Sequence, residues 1–210
     1  RPSSNSLSSG QVLHCPYETD KAKLVVREMT DLLVLDLVDK GLVTDQMVLT
    51  VGYDIENLTD PARRAKYHGA IETDHYGRQI PKQAHGSINL DGHTSSTRKI
   101  MCAVSELFDR IVDKNLLVRR MYVVANHVLP EADAPKKNDG AVQLDLFTDY
   151  AAEEEKLKAE NAVLERERKI QKAALAIKKK YGKNAILKAM NLEEGATAKD
   201  RNAQIGGHKA

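Results

Sequence analysis

The sequence predicts an α+β fold: a split βαβ-βαβ four-stranded sheet with two helices on one face, followed by a linker and a long C-terminal helix. Two observations predict it. Over residues 1–128 the apolar spacing runs strand, helix, strand and then repeats that order, and two such units close naturally as one sheet with both helices on the same side. After that, a stretch rich in Pro, Asp, Lys and Asn gives way to a long run of Ala, Leu, Glu and Lys that contains no Pro, the composition of one continuous helix.

Taken in order, LSSGQVL (7–13) carries Val12 and Leu13 after a small, polar leader and predicts a short strand. PYETDKAKLVVREMTDLLVLDLVDKG (16–41) places Ala22, Val26, Met29, Leu33 and Leu37 at helical spacing, with Gly41 where a C-cap is expected. This is a helix of about six turns. Its Asp31, Asp36 and Asp39 read as a solvated face. DQMVLTVGYD (45–54) alternates Met47, Leu49, Val51 and Tyr53, the period of a half-buried strand. Residues 55–84, with Pro61, Gly69, Gly77 and Pro81, read as a long connection without regular structure.

The pattern then repeats. HGSINLDGHT (85–94) puts Ile88 and Leu90 on one face, and SSTRKIMCAVSELFDRIVDKN (95–115) aligns Ile100, Val104, Leu107, Phe108 and Ile111 on one helical stripe. LLVRRMYVVANHV (116–128) alternates again, and LPEADAPKKNDG (129–140) is a linker by composition. Residues 150–182 predict the long helix, ended by Gly182, with NAILKAMNL (184–192) as a short further helix. Between Leu157, Leu164 and Gln171 the heptad spacing turns polar, so no sustained coiled-coil seam is expected. From Lys169 to Lys188 seven lysines occur with no acidic residue, a face that is either solvated or laid along nucleic acid.

With 210 residues and 41% apolar content the chain suits one domain with appendages: a first unit over 1–129, a tether over 130–150 and a charged helix with tail over 151–210. The net charge of +2 is small but unevenly spread. Cys15 and Cys102 form no CxxC pair, which fits a reducing compartment. His68, His75, His85 and His93 lack matched ligands, so no metal site is expected. No long apolar run and no signal peptide are present, so a cytoplasmic protein without membrane contact is expected. The first residue is not Met, which suggests a chain cut from something longer.

Strand parity also fixes what the uncovered sheet face carries. Met121 and Val123 are expected to face the helices, which leaves Arg120, Tyr122 and Val124 on the open side with Arg119 at the strand's start. Ser87, Asn89 and Asp91 join them, as do Gln46, Val48, Thr50 and Gly52, and Ser6, Ser8, Gly10 and Val12. Small, hydroxylated and arginine side chains suit a phosphate backbone better than an apolar partner. Thr94, Ser95, Ser96 and Thr97 precede the second long helix, where a hydroxyl cap is expected and a phosphate is a secondary reading. Arg63, Arg64 and Lys66 form a basic loop that either reaches a duplex or is solvated.

NSLSSGQVL (5–13), HGSINLDGHTSST (85–97) and VRRMYVV (118–124), in that order, resemble the little finger domain of Y-family DNA polymerases. The chain also resembles UmuC-type proteins of Gram-positive bacteria, the ImpB/MucB/SamB group, which end in a sequence similar to RNAQIGGHKA (201–210). QLDLF (143–147) is similar at all five positions to the bacterial sliding-clamp binding pentapeptide. The resemblance implies the DNA-gripping and clamp-tethering part of a translesion polymerase of DNA repair and the SOS response, one that binds damaged DNA. It implies primer-template DNA contacts by Arg119, Arg120, Ser8, Ser87, Asn89, Thr94, Arg63 and Arg64. It also implies clamp contacts by Gln143, Leu144, Asp145, Leu146 and Phe147, with Leu146 and Phe147 as pocket anchors. On that reading the chain has no catalytic residue and no cofactor of its own, because the palm that holds two Mg²⁺ for nucleotidyl transfer lies upstream of Arg1. The alternative from the residues alone is a stand-alone ferredoxin-like regulatory or oligomerisation protein without polymerase activity.

Overall fold

A computed structural model describes residues 5–135, 150–205 and 208–209. Strand β1 (Leu7–Tyr17), helix α1 (Thr19–Asp39) and strand β2 (Leu42–Tyr53) form the first unit. Two short helices, α2 (Glu56–Thr59) and α3 (Pro61–Lys66), and a small hairpin, β3 (Ile71–Thr73) with β4 (Gln79–Pro81), follow. The second unit is β5 (Ala84–Thr94), α4 (Thr97–Ile111) and β6 (Val118–Asn126). The four long strands pair antiparallel in the order β1-β6-β2-β5, so each unit's two strands are split by one strand of the other. A two-residue strand, β7 (Leu129–Pro130), adds to the start of β2. The expected split α+β sheet with both helices on one face is the fold observed.

The connection over 55–84 is more ordered than the sequence suggested. Asp60 caps α3 by accepting the Arg63 N–H at 2.7 Å, and Pro61 fills the first helical position, where its missing N–H costs nothing. Asp74 closes the β3–β4 turn by accepting the Tyr76 and Arg78 N–H groups, both at 2.9 Å, while Gly77 takes the left-handed conformation at φ 77°. Its Pro and Gly residues start and turn short elements instead of preventing them.

The core lies between the sheet and α1 with α4. Met47, Leu49 and Val51 of β2 and Met121, Val123 and Ala125 of β6 meet Val26, Met29, Leu33 and Leu37 of α1 and Ile100, Val104, Leu107 and Phe108 of α4. Each buried Leu or Phe contributes about 1.5–3 kcal/mol. Gly41 ends α1 at φ 66°, a left-handed position that a residue with a Cβ enters at a cost.

A third layer lies on the far side of α1. Helix α5 (Tyr150–Tyr181) crosses the outside of α1 and the start of α4, and a 3₁₀ turn (Ala189–Leu192) and helix α6 (Ala198–Asn202) return along α1. Only Ala189–Leu192 of NAILKAMNL is helical. The chain ends in a pairing of β8 (Gln204–Ile205) with β9 (His208–Lys209). Here the solvated face expected for α1 is corrected. Asp31 is buried and ion-paired with Lys188, and Asp39 pairs with Lys179; Asp36 pairs locally with Lys40 at 2.8 Å. Glu28, 1% exposed, accepts Asn191 Nδ2 at 2.8 Å and the backbone N–H groups of Thr197 at 2.7 Å and Ala198 at 3.1 Å. It thereby caps α6 from another helix. Arg201 donates to Ser9 Oγ at 2.6 Å, and burial pulls its guanidinium pKa below the ordinary value against the pull of Glu28. No helix among the described residues is long and apolar enough to cross a membrane.

Candidate nucleic-acid interface

The strand register builds the open sheet face row by row. At one end Asn126, Gln46 and Asn89 lie side by side on β6, β2 and β5. Their amides form a chain, Asn126 Nδ2 donating to Gln46 Oε1 at 3.0 Å and Gln46 Nε2 to Asn89 Oδ1 at 2.8 Å. The next row is Ser8, Val124, Val48 and Ser87, the third Gly10, Tyr122, Thr50 and His85, and the fourth Val12, Arg120 and Gly52. Inward neighbours on the same strands, Met47, Leu49, Met121 and Val123, are fully buried. These four rows contain no carboxylate.

Two glycines shape this face. A Cβ on Gly10 would stand 2.7 Å from the Tyr122 ring, and one on Gly52 would stand 2.6 Å from Arg120 Cγ. The ring and the guanidinium stem therefore lie across the neighbouring strand, each in the space a side chain would fill. Val12 and Tyr122 remain 64% and 43% exposed, so the face offers apolar surface beside its one central cation. His85, the first residue of the predicted segment HGSINLDGHT, belongs to the third row with its Nδ1 2.8 Å from Thr50 Oγ1.

The expected DNA-contact residues divide into three groups. Arg120, Ser8, Ser87 and Asn89 share the open face. Arg119, Arg63 and Arg64 lie toward the end of the sheet where β6 begins. Arg119 Nε is 3.7 Å from Asp54 Oδ2, Arg63 donates to Glu18 at 3.1 Å, and Arg64 donates to the Tyr67 carbonyl at 3.0 Å. Thr94 stands at the opposite end, opposite Thr44, and accepts the Ser96 N–H at 3.1 Å.

The cap of α4 is Ser96, which accepts the Lys99 N–H at 3.2 Å. Glu167 of α5 occupies the anion position at that helix end, accepting from Ser96 Oγ at 2.6 Å and from the Arg98 N–H at 2.8 Å. A phosphate there would have to displace it. Gln171, which breaks the heptad spacing, is buried and donates to the Ser95 carbonyl and Thr97 Oγ1, both at 2.9 Å. Gln143, Leu144, Asp145, Leu146 and Phe147 lie outside the described residues. Among the described residues no group of three His, Cys, Asp or Glu side chains is arranged to hold a metal ion.

Comparison with known proteins gives one match to a family and several to solved structures. One solved structure is the complex of the beta-clamp processivity factor with the little finger domain of PolIV, at 8% identity and a TM-score of 0.39, over 66% of this chain and 99% of that one. Another is the post-insertion binary complex of Dbh DNA polymerase, at 11% identity and a TM-score of 0.35, over 61% of this chain. This chain spans only 31% of the Dbh polymerase chain. No curated protein matches. Residues 4–146 match the C-terminal domain of the impB/mucB/samB family, two thirds of the sequence and all four long strands of the sheet, and the chain belongs to that family.

Proposed function

We propose that this chain is the DNA-gripping and clamp-tethering part of a translesion DNA polymerase, bound to primer-template duplex through its open sheet face. The observation that carries the reading is the set of four paired rows without a carboxylate, on which Arg120 lies over Gly52 and Tyr122 over Gly10. Flattened side chains and the exposed Ser8, Ser87 and Asn89 let a sugar-phosphate backbone approach the strands closely. Arg119, Arg63 and Arg64 extend the positive charge at one end. Arg119 and Arg63 are also paired with carboxylates, so phosphate contact there exchanges one partner for another. Thr94, beside the helix end held by Glu167, is the most distant of the proposed contacts.

On this reading nucleotidyl transfer and its two Mg²⁺ ions belong to another part of the parent polymerase, which acts in the cytoplasm during DNA repair and the SOS response. QLDLF (143–147) is the clamp ligand, with Leu146 and Phe147 seated in an apolar pocket and Gln143 at its rim. The proposed units are the DNA-binding region 1–129, the tether 130–150 and the helix with tail 151–210.

Two experiments test the two halves separately. Replacing Arg119 and Arg120 by Ala is expected to weaken binding of duplexes of any sequence about equally and to lower the slope of log affinity against log salt by up to roughly two. An unchanged slope overturns the sheet-face reading. Clamp binding is tested with Leu146→Ala and Phe147→Ala together, which are expected to abolish micromolar capture of the full chain by the clamp. Retained affinity overturns the motif reading and leaves the DNA reading untouched.

A further inference from the structure

The lysine-rich stretch from Lys169 to Lys188 splits into two sets. Lys178 donates to the Ile186 carbonyl at 2.9 Å and to that of Lys183 at 2.6 Å, and burial lowers its pKa. Lys179 is paired with Asp39, and Lys188 with Asp31. These three hold the third layer in place. Lys169, Lys172, Lys180 and Lys183 are exposed, and no carboxylate partners them among the described residues.

The second set has a fixed geometry. Gln171 is buried against the start of α4, and at 100° per residue Lys169 and Lys180 project about half a turn away from it, to the outside of α5. They are eleven positions apart on one side of the helix, about 16 Å along its axis. Between them that side carries Ala173 and Ala176, which keep it low enough for a backbone to lie along the helix. Lys172 stands about 100° from Gln171, on the flank that Lys179 also uses, and Lys183 follows Gly182, where the helix has ended; the Lys180 ammonium stands 5.1 Å from the Tyr181 ring. The acidic neighbour on the helix is Glu165, one turn before Lys169, itself exposed.

The helix that carries this rack is held on both flanks. Arg168 pairs with Glu131, Lys99 with Glu160 at 2.5 Å, and Lys179 with Asp39, in addition to the contacts of Glu167 and Gln171. The lysines thus present a positioned row and not a loose tail. The helix layer of α1 and α4 and then the sheet itself separate this row from the open sheet face. At roughly 10 Å per layer, a duplex lying flat on the sheet does not reach it.

We propose that the outer side of α5, through Lys169 and Lys180, with Lys172 on its flank and Lys183 just past its end, binds the phosphate backbone of a second nucleic-acid segment, independently of the sheet face. The spacing suits a few successive phosphates of a single strand, and the interaction is expected to be sequence-tolerant because contacts to phosphates carry no sequence information. The inference does not require the sheet-face reading to hold.

The test replaces all four lysines by Gln in the full chain, which preserves helix propensity and the contacts of Glu167, Gln171, Lys178 and Lys179. With a thymidine oligomer as probe, the slope of log affinity against log salt is expected to fall by up to roughly three, about 0.7 for each lost contact. The matched Lys→Arg variant is expected to keep the wild-type slope, and Arg119→Ala with Arg120→Ala to leave the rack's share intact. An unchanged slope in the Gln variant overturns the proposal. Displacement of the oligomer by polyglutamate at equal charge concentration also overturns it, because the face then takes acidic polypeptide. Loss of oligomer binding in the Arg119→Ala, Arg120→Ala variant would overturn it as well, because the lysines would then not act independently of the sheet face.

Discussion

Helix α1 is covered on two sides by opposite materials. Toward the sheet it presents Val26, Met29, Leu33 and Leu37 to a dry apolar core, where the number of well-packed atoms decides stability. Toward α5 and the tail it presents Leu32 and Leu35 together with Glu28, Asp31 and Asp39, and these carboxylates are met by Asn191, Thr197, Ala198, Lys188 and Lys179. The first cover is non-directional and tolerates repacking. The second depends on particular atoms, because a buried carboxylate without its donors costs more than a lost apolar contact of similar size. The two covers should therefore differ in whether a single substitution weakens the whole domain or releases one layer.

The strongest way to probe the apolar cover is Met29→Ala, which removes a fully buried side chain and is expected to cost about 2–5 kcal/mol in denaturant unfolding. Hydrogen exchange should then accelerate throughout the sheet and both long helices of the core. Glu28→Ala is expected to cost less overall, about 1–3 kcal/mol, because it leaves the Thr197 and Ala198 N–H groups without an acceptor. Its exchange signature should be local, faster in residues 189–205 and near wild type in β2 and β6. Uniform acceleration in both variants would mean that the third layer is one cooperative unit with the core, and the contrast between the covers would fail.

The apolar cover was legible in the sequence because its signal is periodic and local. Ile100, Val104, Leu107 and Phe108 announce their face within one helix, and the alternation of Met47, Leu49 and Val51 announces another. The polar cover was not legible for the converse reason. Glu28 and Asp31 look solvated in a charged helix, and their partners stand more than 150 positions downstream, with nothing in the local pattern to mark them. Gln171 was read as a break in a heptad seam, yet that amide fastens α5 to the start of α4. The same split runs through the candidate site. Most open-face residues followed from parity alone, but Ser6 precedes β1, Asp91 falls where the β2–β5 register shifts, and the roles of Gly10 and Gly52 needed the cross-strand register to bring Tyr122 and Arg120 over them.

Those two glycines bear on the thermodynamics of binding and not only on its geometry. Long or bulky side chains that swing freely in the unbound protein must be immobilised at an interface, at about 0.5–1.5 kcal/mol of lost rotamer freedom each. The Arg120 stem and the Tyr122 ring already rest on neighbouring strands, confined before any partner arrives. Much of their ordering entropy is therefore lost during folding, and the affinity of this face is set less by what its side chains could reach than by where they already lie.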